Sequence, residues 1–349
     1  EVELIDGPAE LLGPVGERLV AAGAEWTARA SKLARALGLD EVDRPAPRPG
    51  KKRRRAAEPR AADVLLGVLR DQVTALQLAD VAVRTGQDDA IRRLRVAYRR
   101  LRALLAAARP VLDRAATDPL RAELRLLAGR LSDVRDEEVA LAELRAAVTE
   151  VPVELVLGPV EARLRTAQVA AAERGRATAA ALVAGPDHRR ALDALHALLA
   201  DPPITAAGAE PARPVLDGVV RREVRRLRRA ADAGGALSGQ ERTEALHGVR
   251  RTARRTRYVA AAFAPALGER AATAASAAKR TQRLLGELQD LVVVGEHCRG
   301  LAVAAHAAGE PGFTYGLLLG RAEARARDAE RVFAERWPDL AARLRRSVR

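Results

Sequence analysis

IRRLRVAYRRLR, Ile91–Arg102, carries six arginines and no acid in twelve residues. The pattern returns 155 positions later as LHGVRRTARRTR, Leu246–Arg257. Arg95, Arg99, Arg100 and Arg102 correspond to Arg250, Arg254, Arg255 and Arg257, and Arg92 corresponds to His247. On a helix, Ile91, Leu94, Tyr98, Leu101 and Leu105 form one apolar stripe. Arg92, Arg95, Arg99 and Arg102 fall on an adjacent stripe, with Arg93 and Arg100 on its flank. In the second copy Leu246, Val249, Ala253 and Thr256 turn inward, and His247, Arg250, Arg254 and Arg257 form the basic stripe, with Arg251 and Arg255 beside it. At about 1.5 Å rise per residue, each stripe is a positive rail roughly 15 Å long. Like charges at i,i+4 cost a helix a few tenths of a kcal/mol per pair. Keeping several such pairs twice requires counter-charge from outside the helix. Asp133, Asp136, Glu137 and Asp290 on the following helices can supply part of it.

Two further matches keep the same order at nearly the same offset. VLLGVLRDQV, Val64–Val73, matches VLDGVVRREV, Val215–Val224, and LSDVRDEEV, Leu131–Val139, matches LGELQDLVV, Leu285–Val293. The chain therefore reads as an internal duplication. Helices are predicted near 64–85, 87–109, 117–149 and 156–183 in the first half, and near 211–233, 239–265, 269–308 and 312–346 in the second. A short helix near 187–200, ended by Asp201-Pro202-Pro203, joins them. Short loops favour antiparallel neighbours, so the expected fold is all-α, two four-helix bundles related by a pseudo-twofold.

Ahead of the duplication, EVELIDG, Glu1–Gly7, alternates like a strand and Pro8 opens a helix to about Leu37. The run RPAPRPGKKRRRAAEPR, Arg44–Arg60, reads as an exposed basic linker. The domains expected are thus a strand-helix remnant at 1–38, a linker at 39–60, and halves at 61–205 and 206–349.

Composition narrows the ligand. In 349 residues the formal net charge is +14, which favours a polyanion. Arginine supplies most of it, and its planar fork engages phosphate oxygens in pairs. Two Trp, three Tyr and three Phe leave little on which to stack bases. A base-free phosphate chain needs no such platform, whereas a nucleic-acid backbone is the second reading. A third basic run, RREVRRLRR at Arg221–Arg229, contributes Arg222 and Arg226 as candidates. Lys279, Arg280 and Arg283 extend the surface one helix later. These additions lead us to expect stronger binding by the second half. His247, in line with Arg250 and Arg254, is a further phosphate ligand.

The single cysteine, Cys298, allows no disulfide framework and reads as a buried thiol. Metal-site spacings, Walker glycines, paired hydrolytic carboxylates and a nucleophile elbow do not occur, so neither catalysis, a metal nor a cofactor is expected. No membrane span and no signal peptide are read, which makes a reducing cytoplasm the expected compartment.

RRLRVAYRRLRALL with LSDVRDEEV, and LHGVRRTARRTRYV with LLGELQDLVV, resemble the CHAD family, the conserved histidine α-helical domain. The likeness covers about residues 61–349. It implies inorganic polyphosphate as the partner, held along a basic central surface, and with it association with polyphosphate granules. Carried over by motif, the surface comprises Arg92, Arg95, Arg99, Arg100 and Arg102 in one half, with His247, Arg250, Arg254, Arg255 and Arg257 in the other; Arg93 and Arg251 join them from the stripe flanks. The histidine that normally begins the first motif is Arg92 here. Residues 1–38 resemble the end of a CYTH domain, the triphosphate tunnel fold, whose inward acids would include Glu1 and Glu3. The remaining tunnel strands are not in this sequence, so no triphosphatase activity is expected from it. An accessory or regulatory role beside such an enzyme is a further alternative.

Overall fold

The computed structural model describes residues 12–23 and 58–348. The chain divides into two compact units, Glu1–Ala57 and Glu58–Arg349. In the first, helix α1 spans Leu12–Ala21. The strand predicted at Glu1–Gly7, the rest of the helix predicted to Leu37, and the linker up to residue 57 lie outside the described residues.

The second unit contains both predicted halves, and its described residues are helical apart from turns and two isolated bridges. The first half holds α2 (Ala61–Arg84), α3 (Ala90–Ala107), α4 (Arg114–Arg130), α5 (Ser132–Thr149) and α6 (Val160–Ala184). Helices α7 (Pro186–Ala200) and α8 (Ala206–Ala209) connect the halves. The second half holds α9 (Ala212–Gly235), α10 (Gly239–Leu267), α11 (Glu269–Ala307) and α12 (Phe313–Arg346). Consecutive helices pack side by side, and a single residue, Gly268 at φ 81°, reverses the chain between α10 and α11. A side chain is strained at that φ, so glycine suits the position.

Three helices pack against their own counterparts: α2 on α9, α3 on α10, α5 on α11. That is what a pseudo-twofold requires. The axis is most visible where the halves begin. Ala61 N donates to Glu210 O at 2.9 Å and Ala212 N donates to Pro59 O at 2.8 Å, two bonds that exchange under the offset of 151. The bridge between Arg60 and Pro211 sits between them.

The predicted inward stripes are buried. Leu94, Tyr98, Leu101 and Leu105 line the core side of α3, and Leu246, Val249, Ala253 and Thr256 that of α10. The halves do not enclose separate cores. One core joins Leu65, Leu69, Leu94 and Leu101 to Leu216, Val249 and Phe263. A second joins Leu141, Leu144 and Leu164 to Leu291, Cys298 and Tyr315. Each fully buried leucine is worth about 1.5–3 kcal/mol, so the halves are held together by the same contacts that fold them. Cys298 is wholly buried, and burial pushes its thiol up to about 11, which leaves it protonated and inert at neutral pH. Among the described residues no helix is long and apolar enough to cross a membrane.

The third helix of the first half, predicted as one element, is two. It breaks at Leu131, whereas its counterpart α11 is continuous. Ser132 Oγ donates back to Ala128 O at 2.9 Å, three residues after Gly129, a combination that bends helices. The break brings Ser132 against α3.

Candidate functional site: a basic trough

Helices α3 and α10 are counterparts under the duplication and pack together, so their basic stripes meet across the axis. Together with α4, α5, α9 and α11 they line an open trough of about 1210 Å³. The volume exceeds that of a typical small-molecule pocket and suits a segment of polymer. Of the predicted residues, Arg92, Arg95, Arg99, Arg102, Arg226, His247, Arg250, Arg251, Arg254 and Arg255 line it. The acids that line it are Asp136 and Asp290.

Those two acids are themselves related by the duplication. Arg95 Nη2 lies 3.1 Å from Asp136 Oδ1, and Arg250 Nη2 lies 3.7 Å from Asp290 Oδ1. Burial raises the Asp290 carboxyl above its usual range, against the pull of Arg250. Glu137 pairs instead with Arg174, and the Asp133 side chain lies outside the described residues. Ion pairs with these acids therefore reach Arg95 and Arg250 and not the centre of the two stripes.

The centre belongs to Arg99 and Arg254. Arg99 Nη2 donates to Ser132 Oγ at 2.8 Å. Gly286 replaces Ser132 in the second half, so Arg254 has no matching acceptor, and no other described residue gives it a hydrogen bond or ion pair. Burial lowers Arg99 to about 9 and Arg254 to about 10, with the neighbouring arginines adding to both. Both guanidiniums stay charged at neutral pH, and the depression records charge held without a partner. Burial likewise lowers Arg102, among Arg125, Arg121 and Arg251, and Arg255, despite its bond to Glu223.

Several predicted residues are elsewhere. Arg93 turns to Gln87 Oε1 and the Asp88 carbonyl at the start of α3. Arg100 and Arg257 lie over the Tyr258 ring, 5.6 and 4.8 Å from its centroid, and so brace a residue that does line the trough. Arg222, Lys279, Arg280 and Arg283 are exposed and do not line it. The trough opens toward α9, to which Arg255 is tied through Glu223, so α10 presents the Arg251 and Arg255 flank instead of Arg257.

Arg109, Arg121 and Arg125 line the trough and were not among the predicted residues. Arg109 and Arg121 share Asp118, at 2.9 and 3.2 Å. Arg125 is the counterpart of Lys279 at the offset of 154, a signal that could have found it. With these three the first half lines the trough at least as densely as the second. Among the described residues no cluster of His, Cys, Asp and Glu is arranged to hold a metal.

The CHAD domain family model matches residues 67–299. Two uncharacterized proteins of Mycobacterium tuberculosis are 35% identical over 322 residues, 91% of this chain and 60% of their own length. The chain thus spans about 60% of the curated relatives it matches. PptA from Streptomyces chartreusis has a similar structure, with TM-score 0.65 at 21% identity over 80% of this chain and 100% of that one. The CHAD domain from the plant Ricinus communis gives TM-score 0.57 at 22% identity over 84% of this chain and 92% of its own. At these identities the structural likeness is one of fold.

Proposed function

This chain belongs to the CHAD domain family, and on that premise we propose that its trough binds inorganic polyphosphate without turning it over. The observation that carries the reading is Arg254, a half-buried guanidinium on the trough wall with no carboxylate or carbonyl to meet it. Holding an unpaired charge partly out of water, among like charges, is unfavourable, and an anion in the trough offsets that cost. Arg99 across the axis makes the same demand. Planar forks spaced along two helices can each take two oxygens of successive phosphates. The scarcity of aromatic residues favours a backbone without bases.

Binding rests on charge-assisted hydrogen bonds and released counterions, and needs neither metal nor cofactor. A cytoplasmic location at polyphosphate granules accompanies this reading, and a regulatory role toward a neighbouring catalytic domain is compatible with it. The test is a titration of long-chain polyphosphate into the wild type and an Arg99→Gln/Arg254→Gln variant. The variant is expected to bind at least ~10-fold more weakly, from the loss of two charge-assisted bonds. Equal affinity would remove the trough as the site. Duplex DNA that displaces polyphosphate at matched phosphate concentration would favour a nucleic-acid backbone as the ligand. Reproducible release of orthophosphate in the presence of a divalent metal would make the protein an enzyme.

A further inference from the structure

We propose that His247 is a proton-linked ligand of the trough: it engages the anion only as imidazolium, so filling the trough draws in a proton. The inference rests on the polyphosphate reading and adds a control to it.

The geometry fixes the ring. His247 lies on α10 one turn before Arg250 and lines the trough beside Gln289 of α11. Its Nδ1 is hydrogen-bonded to Gln289 Oε1. A carboxamide oxygen only accepts, so Nδ1 carries the hydrogen and donates it. In the neutral ring Nε2 is then a bare lone pair, and no described residue partners it. A lone pair facing phosphate oxygens repels them, whereas Nε2–H would donate to them. The neutral and charged rings therefore differ in the sign of their contribution to binding.

The surroundings set which form the empty trough holds. Burial is the main influence keeping the ring below the ordinary histidine value. Arg251, Arg250 and Arg254 on its own helix add to it, and the Gln289 bond opposes it. Asp290 on α11 and Asp136 on α5 also line the trough, but these are engaged by Arg250 and Arg95. Glu244, on the preceding turn, is bonded to Gln240. An entering polyanion reverses the local potential that these arginines create, and protonation becomes favourable. The corresponding position in the first half is Arg92, permanently charged and paired with Asp89 at 3.0 Å. One stripe thus titrates at this position and its twin does not.

The sign follows from linkage. Affinity rises as pH falls through the pKa of His247 in the filled trough, and levels off below its pKa in the empty one. Between those limits the gain approaches tenfold per pH unit for one proton. Burial raises the Asp290 carboxyl, and an Asp290→Asn variant isolates its share of the pH dependence.

The experiment is calorimetric titration of long-chain sodium polyphosphate into the whole chain near neutral pH, in buffers of differing ionisation enthalpy. Wild type is expected to take up as much as about one proton per site. His247→Gln should bind with no uptake and little pH dependence, and His247→Arg should bind tightly with none. Gln289→Glu, which supplies a charged acceptor to Nδ1, should move the pH window upward. In the unmutated protein, the His247 ring resonance should titrate at higher pH once polyphosphate is added. Equal proton uptake by wild type and His247→Gln, or a ring resonance whose titration ligand does not move, overturns the inference and leaves polyphosphate binding standing. Absence of binding by every form overturns both.

Discussion

The Glu223 carboxylate, 5% exposed, accepts a hydrogen bond from Arg255 Nη2 at 2.5 Å. The pair ties α9 to α10 at the wall of the trough, and Arg255 Nη2 also reaches the Ala106 carbonyl of α3 at 3.4 Å. Glu223→Ala leaves Arg255 half-buried without its acid and should lower stability by about 3–5 kcal/mol. Denaturant unfolding measures it. Polyphosphate affinity in the same variant should not fall, because Arg255 becomes free for phosphate. A variant as stable as wild type would show that this pair does not hold α9 in place.

Arg99 and Arg254 place binding and stability in opposition. Replacing both with Met removes two poorly partnered charges from a region that buries them. The ligand-free variant should be more stable than wild type by about 1 kcal/mol or more. It should also lose most of the rise in Tm that polyphosphate gives the wild type. A melting temperature lowered by the substitution would mean that these arginines already have sufficient partners.

Salt and the two trough acids form a linked pair of predictions. With roughly six phosphates engaged, affinity should drop on the order of 10³-fold between about 50 and 200 mM salt. Asp136→Asn/Asp290→Asn frees Arg95 and Arg250 and should tighten binding and steepen that salt dependence. Weaker binding by this variant would show that the acids orient the arginines instead of competing for them.

Acid should weaken the fold through His188. The ring is 1% exposed, shares a hydrogen bond with the Tyr98 hydroxyl at 2.6 Å, and lies 3.3 Å from Asp80. Burial holds its pKa below the ordinary histidine value, although Asp80 pulls the other way. The unfolded chain therefore takes the proton first. The stability contributed is complete above the unfolded value of about 6.5 and drains away as pH falls from there toward the folded one. Unfolding of wild type and His188→Gln at about pH 7.5 and 5.5 should show a loss in the former that the latter largely lacks. His247 is depressed in the same sense, so parallel losses would move the effect to it.

The helices were legible because Leu94, Tyr98, Leu101 and Leu105 repeat with the period of a helix. The trough's central residues were legible because α3 appears twice. Arg109 and Arg121 carried no local pattern, and only their position across the trough gives them a role. Arg257 and Lys279 show the opposite case. A duplicated sequence suggests equal roles, but α4 and α9 line the trough, and Arg125 reaches it where its twin Lys279 does not. The break at Leu131 rested on Ser132, whose back-bond to Ala128 competes with an otherwise continuous helical pattern. Which face of a helix meets the ligand depends on packing between halves, and no single segment encodes that.

The reciprocal bonds between Ala61 and Glu210 and between Ala212 and Pro59 form a seam that is complementary to itself. A half-length chain presenting Pro59 and Ala61 would offer a second copy of itself the same donor and acceptor that the second half now provides. Such self-matching edges are what homodimers use. Joining two copies end to end through α7 and α8 makes that association independent of concentration, and it lets the two sides diverge. Arg92 in one half and His247 in the other is a difference that two identical subunits could not have held.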